Sequence, residues 1–307
     1  MPTIFTKGAT SAQGFGFALK SGGPDATFGI YALGFTPCGY SVTRNKYTFS
    51  TDVNGSATSS GYTNAQGAAA GNCVKGIFAL GIAGPGRSCV REKYIYACNT
   101  NAAAAAGCAG VGQSAAGNST RGIFALGSQN CFGTSSSCRQ KYTYSSDTNA
   151  SAASSSVAGQ RGAAVGNSCY GVFAIGASTT TRNTFYYACN VSTCAAASSS
   201  TSQWGSAAGN STRGIFAIGS NVSIRNKYLY ACYTSGSATA SSSTSCAGAA
   251  SGNSTRGIFA LGCISGTPTT TRNKYTYACD TNGSATASSV GSRQGSAASN
   301  GISGVNR

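Results

Sequence analysis

The stretch Gly257-Ile258-Phe259-Ala260-Leu261-Gly262 is apolar throughout. Consecutive side chains of an extended strand point to opposite faces, so this strand is hydrophobic on both and must be covered on both. Nine residues later, Arg272-Asn273-Lys274-Tyr275-Thr276-Tyr277-Ala278-Cys279-Asp280 alternates instead. Tyr275, Tyr277 and Cys279 share one face and Lys274, Thr276 and Ala278 the other, the period-two signature of a half-buried strand. A small-residue run, Ala249-Ala250-Ser251, precedes the apolar block and ends in Gly-Asn turn chemistry. A Ser/Ala run, Gly283-Ser284-Ala285-Thr286-Ala287-Ser288, follows the tyrosines. The pattern predicts four short strands, lettered a to d: small, apolar, aromatic and Ser/Ala.

The whole set recurs six times. The apolar block begins at Gly29, Gly76, Gly122, Gly171, Gly214 and Gly257, and these glycines lie 47, 46, 49, 43 and 43 residues apart. Periods of about 20 to 50 residues mark solenoids, propellers or arrays. No segment sustains a 3.6-residue apolar period, which argues against helical repeats. A β-solenoid takes shorter coils, whereas four strands in about 45 residues match a propeller blade. Strand a carries Gly, Ala and Ser, as an innermost strand crowding an axis must. The expected fold is all-β, a six-bladed β-propeller of four-stranded blades.

The ends of the chain complement each other. The first repeat has strands b, c and d but no small-residue strand before it. At the other end, Gly295-Ser296-Ala297-Ala298-Ser299-Asn300 is a strand a with no strand b after it. A strand within 295–300 is therefore expected to complete the first blade and remove the exposed edges of a linear array. The competing candidate is Gly14-Phe15-Gly16-Phe17-Ala18-Leu19. The organisation expected is an N-terminal arm (1–27), a propeller (28–301) with repeats starting near 28, 67, 113, 161, 204 and 247, and a tail (302–307). The arm has no apolar core of the length a secretory signal needs, and no span reaches transmembrane length, so membrane insertion is not expected.

The small-residue strand, the Gly-x-Phe-x-x-Gly strand and the tyrosine strand, in that order, resemble Kelch-type blades. More closely, the chain resembles Kelch-like propeller proteins, rich in Gly, Ser and Thr, of phage and bacterial type. The resemblance covers roughly residues 28 to 301. It departs in two places: one glycine usually stands where the Kelch motif has two, and the tryptophan before the last strand is missing. The resemblance implies a non-catalytic structural or binding propeller. Its expected setting is a phage virion, as a tail or fibre component touching other virion proteins and host-surface glycans. A bacterial surface or secreted lectin-like adhesin is the alternative.

Length variation is confined to one place. The b-to-c loops hold 9, 9, 11, 5, 5 and 9 residues, while the rest of each repeat is constant to within one residue. In an up-and-down blade these loops share a side of the disc with the d-to-a linkers, and variable loops on a constant scaffold are where recognition is usually placed. That side is the candidate binding face. The loop aromatics Tyr40, Tyr62, Phe132 and Trp204 fall outside the regular core positions and are candidate sugar-stacking residues, with loop packing as the ordinary alternative. Tyr47, Tyr94, Tyr142, Tyr228 and Tyr275 recur in register and read as core between blades.

Lys and Arg number 21 against 5 Asp and Glu, a net charge of +16. Such a field favours polyanions: acidic glycans, lipopolysaccharide phosphates or acidic protein surfaces. The cations stand at fixed repeat positions, not in a basic run, which disfavours nucleic acid. Arg44, Arg91, Arg139, Arg182, Arg225 and Arg272 open every strand c. A guanidinium offers five donors in a fixed fork, so two readings stand: each arginine ties down its own or the next blade, or the six form an anion-binding ring.

Fourteen cysteines include four in one register: Cys98, Cys189, Cys232 and Cys279. Small Thr51 and Ser146 occupy the same place elsewhere, which favours buried thiols there. Disulfides Cys98 with Cys108, Cys189 with Cys194, Cys232 with Cys246 and Cys131 with Cys138 are the alternative, to be decided by geometry. With no histidine and no paired C-x-x-C, neither zinc nor any other cofactor is expected. The same absence removes Ser-His and Cys-His couples. Asp52, Asp147 and Asp280 align with Asn99 and Asn190 and read as turn formers, leaving Asp25 and Glu92, so no enzymatic activity is expected. Asn118, Asn210 and Asn253, in N-x-S/T triplets at the a-to-b turn, read as turn chemistry too.

Overall fold

The computed structural model describes residues 25–83, 86–128 and 134–301. Cys131, Phe132, most of the arm and the tail after residue 301 lie outside these, as does the Gly14–Leu19 candidate. Each repeat forms one antiparallel sheet ordered a-b-c-d. In the sixth blade the strands are Ala249–Gly252, Arg256–Ala260, Arg272–Thr276 and Thr281–Ala285. Strand a of every blade touches strand a of both neighbours, so the six sheets close around an axis.

The ring is closed by the C-terminal strand. Ser296–Ser299 pairs antiparallel with Phe28–Ala32, Gly29 opposite Ser299 and Ala32 opposite Ser296. The a-to-b turn is rebuilt across the break in the chain. Within the sixth blade, Asn253 Oδ1 accepts from the Thr255 and Arg256 amides. In the first, Asn300 Oδ1 accepts from the Thr27 and Phe28 amides at 2.8 and 2.9 Å.

The core lies in six seams between blades. In one, Ile215 of blade five packs with Phe259, Tyr275 and Tyr277 of blade six. The Ile of strand b faces the following blade and the Phe the preceding one, which is why the strand is apolar on both faces. Each fully buried side chain of this kind contributes about 1.5–3 kcal/mol. Glycine opens strand b because the preceding blade presses on it: a Cβ on Gly257 would meet Ala208 Cβ at 2.9 Å.

The cysteine expectations are corrected. Cys98, Cys189, Cys232 and Cys279 are exposed, not buried. Strand c ends at Thr276, so Cys279 falls in the c-to-d turn and the alternation that buries Tyr275 and Tyr277 stops before it. Cys98, Cys108, Cys138, Cys189, Cys194 and Cys232 are unpaired, and Cys246 bridges to Cys263, not Cys232. Cys232 sits in the c-to-d turn, on the far side of the disc from the linker that carries Cys246. That linker crosses the next blade's b-to-c loop, where Cys246 and Cys263 exchange backbone hydrogen bonds of 3.1 and 2.8 Å with their Cα atoms 5.2 Å apart.

Candidate functional site

The six strand-c arginines are 1–2 % exposed. Each crosses to the next blade, where its guanidinium sits over the strand-b aromatic: Phe78, Phe124, Phe173, Phe216, Phe259 and, closing the circle, Tyr31, at 4.3–4.6 Å. Nη1 then reaches the second residue of that blade's strand d, as in Arg225 to Asn282 at 2.7 Å, Arg182 to Ser235 at 2.8 Å and Arg139 to Ser192 at 2.8 Å. Arg44 reaches Asn101 and Arg91 reaches Asn149 in the same way. Burial pulls Arg91, Arg139, Arg182 and Arg225 down to about 10. The anion-binding-ring expectation is therefore corrected: a ligand has no access to these side chains, which join blade to blade.

All five carboxylates are bonded into the scaffold. Glu92 takes Arg44 Nη2 at 2.7 Å, Ser60 Oγ at 2.5 Å and the Gly61 amide at 2.7 Å. Asp25 takes the Ser254 amide at 2.8 Å and its hydroxyl at 2.7 Å. Asp52, Asp147 and Asp280 stand at positive φ in the c-to-d turn. They pair across the seams with Lys274 at 2.8 Å, with Lys93, and with Lys227 at 2.9 Å. Among the described residues no three His, Cys, Asp or Glu side chains converge as a metal group would.

On the loop face, the residue two before each strand a forms a second ring. Gln66, Gly112, Arg161, Trp204, Ala247 and Gln294 all have φ between 55° and 64°. The amide of each donates to the carbonyl of its counterpart in the preceding blade at 2.6–2.9 Å, six bonds in a closed cycle. A left-handed conformation costs a non-glycine residue of order 1 kcal/mol, and the cycle holds it in place. Glycine follows at five of the six positions, with Gln113 at the other, and there the backbone is pinched: a Cβ on Gly162 would lie 2.1 Å from the Ala174 carbonyl oxygen. The ring frames a narrow axial depression, about 40 Å³ in volume, lined by Gln66, Gln113, Arg161, Trp204 and Gln294. Beneath it, the Ala, Gly, Val and Ser residues of the six strands a line a narrow channel of about 50 Å³.

Of the candidate aromatics among the described residues, only Trp204 lines this mouth. Tyr40 is 42 % exposed in the first blade's b-to-c hairpin, edge-on to Phe35. Tyr62 is 53 % exposed and lines an outer groove between blades one and two. The structure does not bring the three together. Sequence reasoning missed Arg161, Gln113, Gln66 and Gln294. Their signal was positional: Gln66, Arg161 and Gln294 precede a glycine that stands ahead of strand a in five of the six blades, and Gln113 replaces that glycine in the third.

No protein-family profile matches the chain, and no curated protein does. Among solved structures it is similar to TolB from Acinetobacter baumannii, with a TM-score of 0.59 and 10% identity over 91% of this chain and 69% of that one. It is also similar to YjhT, with a TM-score of 0.60 and 10% identity over 76% of this chain and 87% of that one. At such identity the likeness bears on the propeller fold alone.

Proposed function

We propose that this propeller works by holding other molecules, without catalysis. In this reading it is a component of a phage tail or fibre that touches other virion proteins and, through its loop face, host-surface glycans. The observation that carries the non-catalytic part is the allotment of carboxylates. General acid–base chemistry and glycoside hydrolysis need acids that converge on an open site, and here all five hold turns or joints. The thiols support the setting. Among the described residues ten exposed cysteines are unpaired, which suits assembly in a reducing cytoplasm and release within a particle. The bridge Cys246–Cys263 is the observation that favours the second reading, a secreted or surface adhesin.

Mass spectrometry of purified particles with and without reductant, beside a glycan array, tests the proposal. The chain is expected in particles, with most thiols reduced, and bound to glycans without cleaving them. Recovery from the envelope or medium alone, with cysteines oxidised in pairs, would favour the adhesin.

A further inference from the structure

We propose that the outer groove between blades one and two seats the chain's own N-terminal segment, residues 14–19, as a fifth strand on blade two. The groove has a volume of about 750 Å³ and is lined by strand d of blade two, by Val90 and by Tyr62. Its polar walls are already engaged. Glu92 takes Arg44, Ser60 and Gly61, and Arg91 donates to Asn149 and Gln140. Asn101 takes Arg44 and donates to the Ser59 carbonyl, and Asn99 takes the Tyr94 hydroxyl and the Thr58 amide. A sugar seated there would leave its hydroxyls short of partners. The groove offers alanine methyls, Val90, the Tyr62 ring and a bare strand edge, which suit an apolar strand.

Strand d of blade two, Thr100–Ala104, is the outermost strand of its sheet and pairs with strand c alone among the described residues. Such an edge invites another strand unless charge or proline blunts it. This one has neither: Asn101 is followed by five alanines, Ala102 to Ala106. The other five strands d carry Ser or Cys where it has Ala103. The segment that fits is one the fold leaves without a place, because Ser296–Ser299 fills the gap in the first blade for which residues 14–19 competed. As a strand, Gly14-Phe15-Gly16-Phe17-Ala18-Leu19 turns Phe15, Phe17 and Leu19 to one face and its small residues to the other. Arg44 of blade one reaches Asn101, so Asn101 and Ala103 face that blade. The three large side chains then enter the groove over Ala103 beside Tyr62, while the backbone takes the free edge. The arm starts close by. Phe28 touches Tyr96 of blade two, ring centroids 5.6 Å apart, and Tyr96 opens the turn that leads to Thr100. From Asp25 back to Leu19, through Ser21-Gly22-Gly23-Pro24, six residues span up to about 20 Å.

The test is amide hydrogen exchange of the full chain, read by mass spectrometry on peptides covering each strand d, since an added strand protects edge amides that otherwise face water. Residues 100–104 are expected to exchange about tenfold or more slowly than the strands d of the other five blades, which serve as internal controls. The double variant Phe15→Ser, Phe17→Ser lies outside the propeller and should bring that strand to the rate of the others while leaving them unchanged. Ala103→Asp, on the floor of the groove, should do the same from the other side and speed exchange in residues 14–19. Blade-two strand d exchanging as fast as the others in the wild type, or protection surviving the double variant, overturns the proposal. Dilution decides whose arm is bound. Protection constant over a hundredfold range of protein concentration supports the chain's own segment, and protection lost on dilution assigns the groove to the arm of a second copy and overturns the proposal.

Discussion

Arg272 Nη1 donates to Asn54 Oδ1 at 2.7 Å, a bond from the last blade to the first across 218 residues of chain. Its Nη2 reaches Asn45 of the same blade at 3.4 Å, and its guanidinium covers Tyr31. All three contacts recur, with small changes, at Arg44, Arg91, Arg182 and Arg225, and two of them at Arg139, whose Nη2 has no partner, so the disc closes with the device that holds its interior together.

Arg272→Ala removes the guanidinium donor from the half-buried Asn54 and from the buried Asn45 and leaves a void over Tyr31. It is expected to destabilise by about 3 kcal/mol or more in urea unfolding. Arg272→Lys should recover less than half of that, since an ammonium lacks the planar fork. Lys141→Ala, at a position with no ion pair among the described residues, should stay within about 0.5 kcal/mol. Equal effects at 272 and 141 would refute the joint.

Asn300 caps the first blade as internal asparagines cap the others. Ending the chain at Gly295 should therefore abolish a single cooperative melting transition. A circular permutant joining Asn300 directly to Ala26, opened between residues 84 and 85, should keep it. Scanning calorimetry distinguishes the two, and a truncated chain melting like the full one would overturn ring closure.

Burial raises the Asp147 carboxyl, but the Lys93 ammonium, the Tyr142 hydroxyl and the Ala105 amide outweigh it and hold the group down to about 2. Asp52 and Asp280 are held below the ordinary range by Lys274 and Lys227 with neighbouring amides and tyrosines, again against burial. Since the folded values lie below the unfolded ones, their stabilisation is complete above about pH 4 and is lost as pH falls toward 2. The melting temperature should drop across that window. A triple Asp→Asn variant, using the residue Asn99 already supplies, should drop less steeply. Each half-exposed pair contributes about 0.2–1 kcal/mol; an unchanged slope would rule the pairs out.

Cys263→Ser removes the bridge to Cys246, 17 residues away, and is expected to cost about 3 kcal/mol on chain-entropy grounds. In native protein a thiol reagent should label the exposed cysteines quickly and leave this pair untouched. Labelling of Cys246 without reductant would contradict the bridge.

Much of the scaffold was readable because it repeats. Ile258 and Phe259 are apolar in sequence because one faces each neighbouring blade, and six copies at one spacing specify a ring. The surplus Ser296–Ser299 and the missing strand before Phe28 revealed the closure. The site was less legible. Arg44 and Arg161 look alike in a sequence, and nothing local says that the first is spent on Glu92 and Asn101 while the second keeps its donors. The cysteines misled for a related reason: alternation places Cys279 with Tyr277 only while strand c continues, and where it stops is set by the turn.

The sequence by itself determined the number of blades, the order of strands within each and the side on which loops vary, since these follow from periodicity and side-chain size along the chain. Tertiary structure alone decided which polar groups remain available. Hydrogen bonds between blades join residues 27 to 244 positions apart, so whether a donor is satisfied depends on the neighbouring blade and not on the residues beside it.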